Sequence, residues 1–398
     1  MKWIYVLLFT HIISFAASSQ QILKGRILEP VTESPIPYAT VYLANTTLGT
    51  TADENGAFSM EIPSGSFEVI VRMLGYESAT FSIQSNRLPK PGYIIFLKPS
   101  DTELNEIEVE DERDPSWYKN LQTFKLYFLG NSKNASKAKI ENEKVLRMDD
   151  QSQKGILRVT AAKNLKIHNP NLGYYLDFQL EEFQFRSRGS TYQYAGYPLF
   201  REEGDLSKSR LRKIQKNRLE AYQGSLQHLI RSLHQGIASE EGFEIRRLYR
   251  IPNPDKPADS LILQAKKQYD STSSETIKSI LKRDFLDKES LPDSIDQLEK
   301  SPIDPKILLS RDSENNTFLE VDFALHVTFK LESEPREYLG QNNPKKPGPQ
   351  ISTLYFQNKK LQIFENGSYP DPFAILIDGY MGWEKVADLM PLDYLPPN

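Results

Sequence analysis

The chain contains no cysteine, which removes disulfides, thiolate metal ligands, cysteine nucleophiles and a lipid-modified N-terminal cysteine. Histidine is scarce too. The five present are His11, His168, His228, His234 and His326, and none has the Glu three residues away that a zinc carboxypeptidase site needs. The His-Glu-x-x-His helix, the Gly-x-Ser-x-Gly elbow and the glycine loops of nucleotide sites are also missing. No cofactor and no metal is therefore expected. An excess of one charge sign is lacking: a net −4 and a pI near 5.9 give no overall field for nucleic acid, and none is expected as a partner. With a mean hydropathy of −0.52, no bilayer-spanning helix is expected beyond the N-terminus.

What is present begins there. Lys2, an apolar run from Trp3 to Phe15 and the small residues Ala16, Ala17, Ser18 and Ser19 follow the three-part pattern of a secretory signal peptide over 1–19. Export without cysteine points to a bacterial envelope, where a large core replaces disulfides. The remaining length suits two domains.

From Gln21 the text is written in period two. Ala39, Val41 and Leu43, then Phe58, Met60 and Ile62, then Phe67, Val69, Val71 and Met73 each mark a half-buried strand. Further strands fit Ile22 to Leu28, Ala79 to Ile83, Tyr93 to Leu97 and Ile107 to Val109. Asp53, Asn55 and Gly56 predict a type I turn in which the Asp caps its own loop, and Gly75 breaks a later strand. Asp53, Glu54 and Asn55 as calcium ligands is the weaker alternative, because spaced acids and a distal glutamate are absent. Many short strands separated by turns predict an antiparallel β-sandwich over 20–110.

Gly25, Pro35 to Val41, Gly49-Thr50-Thr51, Asp53-Glu54-Asn55-Gly56-Ala57-Phe58 and Leu74-Gly75-Tyr76 together resemble the carboxypeptidase regulatory-like domain. The resemblance implies a transthyretin-like sandwich in an envelope protein of Bacteroidetes-type bacteria. It implies no peptidase. Thr102 to Val109 resembles the exit from that domain in TonB-dependent receptors, yet no plug and barrel follow.

A linker at 111–116 leads to a larger α+β domain at 117–398. Trp117, Leu121, Phe124 and Phe128 fall on one helical face. Tyr174, Leu176, Phe178 and Leu180 alternate along a strand whose apolar phase slips at Glu181-Glu182, predicting a bulge and bend. Leu211, Ile214, Leu219, Tyr222, Leu226, Leu229, Leu233 and Ile237 predict one long helix over about 205–236, with Gly224 a candidate kink. An irregular insertion is expected over about 252–316, broken by a strand-like Leu261 to Ala265 and a few helical fragments. Leu319 to Leu331 reads as one strand, Gln341 to Pro349 as a loop, and Leu354 to Phe364 as a hairpin around Asn358-Lys359. The order of the tail, Gly379 to Pro391, resembles uncharacterised envelope proteins carrying the regulatory-like domain first, without implying an activity.

Candidate functional residues are few. Lys208, Arg210, Arg212, Lys213, Lys216 and Arg218 form either an anion-binding patch, for lipopolysaccharide phosphate or an anionic membrane surface, or a solvated helix face. Ser260, Ser271 and Ser294 sit in triplets like the O-glycosylation sites of such bacteria. No catalytic residue is indicated. The sequence thus predicts a mainly β or α+β, non-enzymatic exported protein, periplasmic or associated with the outer membrane or cell surface. Its sandwich would mount a domain that binds an envelope protein or glycan. A hydrolase built from scattered carboxylates in 117–398 is the alternative.

Overall fold

The computed structural model describes residues 21–100, 113–340 and 343–397. The expected signal peptide at 1–19 and the expected strand at Ile107 to Val109 lie outside them. The described residues form two compact units, one built on 21–100 together with 197–201 and 391–395, the other on the remainder.

In the first unit, strands β1 (Gln21–Leu28), β2 (Thr40–Leu43), β3 (Gly49–Thr51), β4 (Ala57–Ile62), β5 (Ser66–Arg72), β6 (Ala79–Gln84) and β7 (Tyr93–Phe96) make two sheets, ordered β4-β1-β7 and β3-β2-β5-β6. Their alternating apolar residues, among them Leu23, Ile27, Phe58, Val41, Val69 and Val71, meet in one core. That is the sandwich the period-two pattern predicts. One ladder departs from the antiparallel expectation: β7 returns beside β1 in parallel. Gly25 is required at this junction, because a Cβ there would lie 2.5 Å from the Tyr93 carbonyl oxygen and 2.9 Å from the Phe58 ring. The unit is completed by distant chain. Asn45 N–H donates to Pro198 O at 2.7 Å, Leu392 N–H to Asn45 O at 2.7 Å, and Thr47 N–H to Asp393 Oδ1 at 3.0 Å. Tyr197 and Leu199 pack on Tyr42, Ala44 and Ile70.

The second unit opens with α1 (Pro115–Phe128), started by Asp114, whose carboxylate accepts from Trp117 N–H at 3.0 Å. Its buried face carries Trp117, Leu121, Phe124 and Phe128, as the helical spacing predicts. Phe124 and Phe128 meet Phe183 and Phe178 edge to face, with ring centres 4.8 and 5.0 Å apart. Those rings belong to a sheet of β8 (Lys139–Ile140), β9 (Leu146–Asp149), β10 (Ile156–Ala161), β11 (Leu165–Asn169), β12 (Tyr174–Arg186) and β13 (Thr191–Glu202). Burial along β12 slips phase at Glu181 and Glu182. The strand there leaves its partner β11, paired up to Phe178, and takes β10 from Phe183.

The single helix expected over 205–236 is two, α2 (Lys208–Tyr222) and α3 (Leu226–Gln235). Gly224 has φ +75°, which stops α2, and Ser225 then caps α3 by accepting from His228 N–H at 3.2 Å. The apolar period runs across both helices, so it hides the break.

The rest of the unit is a sheet ordered β15-β14-β18-β19-β21 and a small sheet ordered β16-β17-β20. In chain order these elements are β14 (Phe243–Pro252), α4 (Asp259–Ser271), α5 (Glu275–Asp284), β15 (Ser294–Leu298), β16 (Leu309–Arg311), β17 (Thr317–Glu320), β18 (Ala324–Ser333), α6 (Arg336–Leu339), β19 (Pro349–Phe356), β20 (Lys360–Ile363), β21 (Ile375–Gly379) and α7 (Tyr380–Trp383). Three expectations are corrected here. The segment 252–316 is regular, carrying a helix pair and two strands, and Leu261 to Ala265 lies inside α4, with Ile262 and Ala265 buried three apart. Leu319 to Leu331 is split between β17 and β18, which join different sheets. Leu354 and Phe364 do not bound a hairpin, because β19 pairs with β18 and β21 while β20 pairs with β17. Both sheets feed one core with α3, including Leu229, Leu233, Leu319, Val327, Leu354 and Ile363. A continuous apolar face therefore ran through changes of partner.

Candidate functional site

Ionisable groups with displaced proton affinities gather where α6, α7 and the following turn meet the ends of β18 and β19, a pattern common at functional sites. A register shift between Phe329 and Ser333 brings Glu332 against Gln350, whose Nε2 donates to Glu332 Oε2 at 3.2 Å. Gly379, at φ +82°, lets the chain turn close over Ile351 O, and the Ser352 hydroxyl accepts from Met381 N–H at 2.9 Å to begin α7. This turn presents Tyr380 and Trp383 beside Tyr338 of α6, with ring centres 5.4 to 5.6 Å apart in all three pairs. Tyr380 is buried, while Tyr338 and Trp383 are half-buried. The Trp383 indole N–H is buried without a hydrogen-bond partner.

Behind the rings runs Glu384-Lys385-Val386-Ala387-Asp388. Lys385 Nζ donates to Tyr192 OH at 2.7 Å, Gly382 O at 2.8 Å and Trp383 O at 3.4 Å, and Tyr192 OH donates to Gly382 O at 2.6 Å. All three ammonium protons are thereby used. Asp388 Oδ1 accepts from Ser132 Oγ at 2.8 Å and Asn134 Nδ2 at 3.0 Å, while its Oδ2 has no partner. Burial pushes the Asp388 carboxyl up, and burial followed by the charges of Asp388 and Glu332 pushes Glu384 well above the usual carboxyl range. Burial brings Glu332 up to about 7, Tyr192 up to about 12 and Lys385 down to about 8. The site is thus an aromatic patch backed by carboxyls whose burial shifts each of them toward the protonated form. Among the described residues no group of three or more His, Asp or Glu side chains is arranged to hold a metal ion.

None of the residues singled out in the sequence belongs to this cluster. Asp53 Oδ1 accepts from Asn55 N–H at 2.8 Å and Ala57 N–H at 2.9 Å, with Gly56 at φ +68°: the carboxylate serves its own turn. Gly75, at φ +84°, ends the run after β5. The basic helix face divides. Lys208, Arg212, Lys213 and Lys216 are exposed. Arg210 Nη2 donates to Pro170 O at 2.6 Å. Arg218 is buried, donating to Leu172 O at 2.8 Å and pairing with Glu202 at 2.6 Å. The acids that answer the helix are Glu202, Glu203 and Glu220. Ser260 and Ser271 are exposed at the two ends of α4, while Ser294 Oγ accepts from Arg250 Nε at 2.9 Å. Sequence reasoning missed the cluster because its members come from Ser132, Tyr192, Glu332 and the tail. The one local signal was Trp383-Glu384-Lys385 and Asp388 set within an apolar tail.

Comparison with known proteins bears on the first unit. Residues 23–109 match the CarboxypepD_reg-like domain family. No curated protein matches the chain. Among solved structures, a Bacteroides fragilis protein of unknown function, described as membrane-associated, aligns over 88% of this chain and 99% of its own at 11% identity and a TM-score of 0.17. A 9R-lipoxygenase from Cyanothece aligns over 56% of this chain and 49% of its own at 9% identity and a TM-score of 0.14. Scores so low carry no argument about fold or activity. The paired sheets described up to residue 100 agree with the family match at 23–109: this part of the chain is a CarboxypepD_reg-like domain.

Proposed function

We propose that this is a non-enzymatic exported envelope protein whose CarboxypepD_reg-like sandwich mounts a larger domain that binds an envelope glycan. The observation that carries this reading is the triad of Tyr338, Tyr380 and Trp383, two of whose rings are only half-buried. Aromatic rings with a polar tip pack on an apolar ring face while bonding to hydroxyls at its edge, and Tyr and Trp are enriched at recognition surfaces for that reason. A protein partner is the other occupant such a surface suits. Exposed Lys208, Arg212, Lys213 and Lys216 supply a peripheral contact with an anionic membrane surface. The exposure of Ser260 and Ser271 supports their reading as acceptors of O-linked sugar. Among the described residues no helix is long and apolar enough to cross a membrane.

The test is co-sedimentation of the purified protein with insoluble envelope polysaccharide. Trp383→Ala and Tyr338→Ala should each lower retention about tenfold or more while the protein still melts cooperatively. Retention equal to wild type in both variants overturns the reading.

A hydrolase is the second reading. It is favoured by Glu332, whose carboxyl burial pushes up to about 7, the range of a general acid. Release of soluble sugar by wild type but not by Glu332→Gln would select it.

A further inference from the structure

The outer face of the five-stranded sheet in the second unit carries an ordered charge pattern. Strand pairing puts Arg246 opposite His326, His326 opposite Thr353, and Thr353 opposite Asp378, one row across β14, β18, β19 and β21. These residues alternate with Ile245, Val327, Leu354 and Ile377, which face the core, so the row lies on the opposite side. Asp378 is exposed and the other three are partly exposed. The two ends of the row differ in charge. Arg246 lies 2.7 Å from Glu244, but Glu244 is also met by Lys330 at 2.5 Å, so the β14 end keeps an unanswered positive charge. At the β21 end, Asp378 has no ion pair among the described residues.

The neighbouring row is apolar and uneven in size at its two central positions. It runs from Leu248, paired with Ala324, to Tyr355, paired with Leu376, which is 65% exposed. A two-fold axis parallel to the strands, midway between β18 and β19, reverses strand order and keeps each row in place. Under that operation Arg246 faces the second copy's Asp378, and small Ala324 faces large Tyr355. Such self-complementarity is what an isologous interface requires, and sheets pack face to face at about 10 Å.

The geometry points to this face as a contact with a second copy of the same chain, the two sheets stacked with Arg246 of each against Asp378 of the other. Four strands at about 4.8 Å and six residues at about 3.3 Å give a patch of about 400 Å² per copy, so the dimer belongs with the small, weak interfaces. This inference is independent of the aromatic triad and of its glycan reading.

Sedimentation velocity on the purified protein, over a concentration series into the hundreds of micromolar, tests it. Wild type should pass from monomer to dimer. Arg246→Asp and Asp378→Arg should each weaken association about tenfold or more, because like charges then meet twice. The double variant Arg246→Asp/Asp378→Arg, which restores opposite charges across the axis, should recover most of the loss. A wild type that stays monomeric, single variants that dimerise like wild type, or a double variant no better than the singles overturns the proposal. Melting curves confirm that each variant is folded.

Discussion

The guanidinium carbon of Arg218 lies 3.9 Å from the centre of the Tyr174 ring, and its nitrogens reach the Leu172 and Gly173 carbonyls behind it. A residue that reads as one more positive charge on an exposed helix is in fact a clamp holding α2 to the turn before β12.

Arg218→Ala therefore strands the Leu172 carbonyl, while Gly173 O keeps its bond from Glu203 N–H and exposed Glu202 turns to water, and should lower stability by about 1–3 kcal/mol. Replacing Lys208, Arg212, Lys213 and Lys216 by Ser should change it by less than about 0.5 kcal/mol per site. Urea denaturation checks both. The same fourfold variant should lose retention on heparin if the exposed half binds anions.

Gly224 cannot accept a side chain at its present backbone angles. A Cβ would come within 2.3 Å of Gln350 Oε1 and 2.8 Å of the Phe329 ring, at φ +75°. Gly224→Ala should cost about 1–3 kcal/mol, read as a lower denaturation midpoint at an unchanged slope.

Glu332 predicts a pH dependence whose sign is fixed. Its folded-state value is raised from 4.5 to about 7 by burial, so the folded protein holds this proton more tightly than the unfolded chain. The stability it lends is complete below pH 4.5 and is lost as pH rises through about 7. Removing the ionisable group in Glu332→Gln should flatten this part of the profile, leaving the variant less sensitive than wild type to a change from pH 5 to pH 8. Melting temperatures at the two pH values check it; equal slopes would contradict the burial assigned to this carboxyl.

The Asp53 turn gives a fourth test. Asp53→Ala removes the acceptor for two backbone N–H groups and should lower Tm by about 2–5 °C. Millimolar calcium or a chelator should leave the wild-type Tm unchanged, because this carboxylate is occupied by its own loop. A calcium-dependent rise would restore the ligand reading.

Much of the first unit was legible because a sandwich core reads every second residue, and Val41, Phe58 and Val69 obey that rule without exception. The parallel return of β7 was not, since alternation carries no direction. In the second unit the same alternation misled: Leu319, Val321, Leu325, Val327 and Phe329 all enter one core, and nothing in the side-chain pattern marks where β17 gives way to β18. Ile262 and Ala265 are too few to tell a helix from a strand in a short apolar run. The aromatic and carboxyl cluster could not be foreseen, because Lys385 meets Tyr192 only across a sequence separation of 193.

The dependence of the first unit on 197–201 and 391–395 also sets an order of events during biosynthesis. Asn45 N–H can find Pro198 O only once the chain has grown that far, and the Asn45 carbonyl waits for Leu392. A ribosome or translocon delivering this chain from its N-terminus releases a sandwich that is seeded first and finished last, and any premature stop before Leu392 leaves it unsealed.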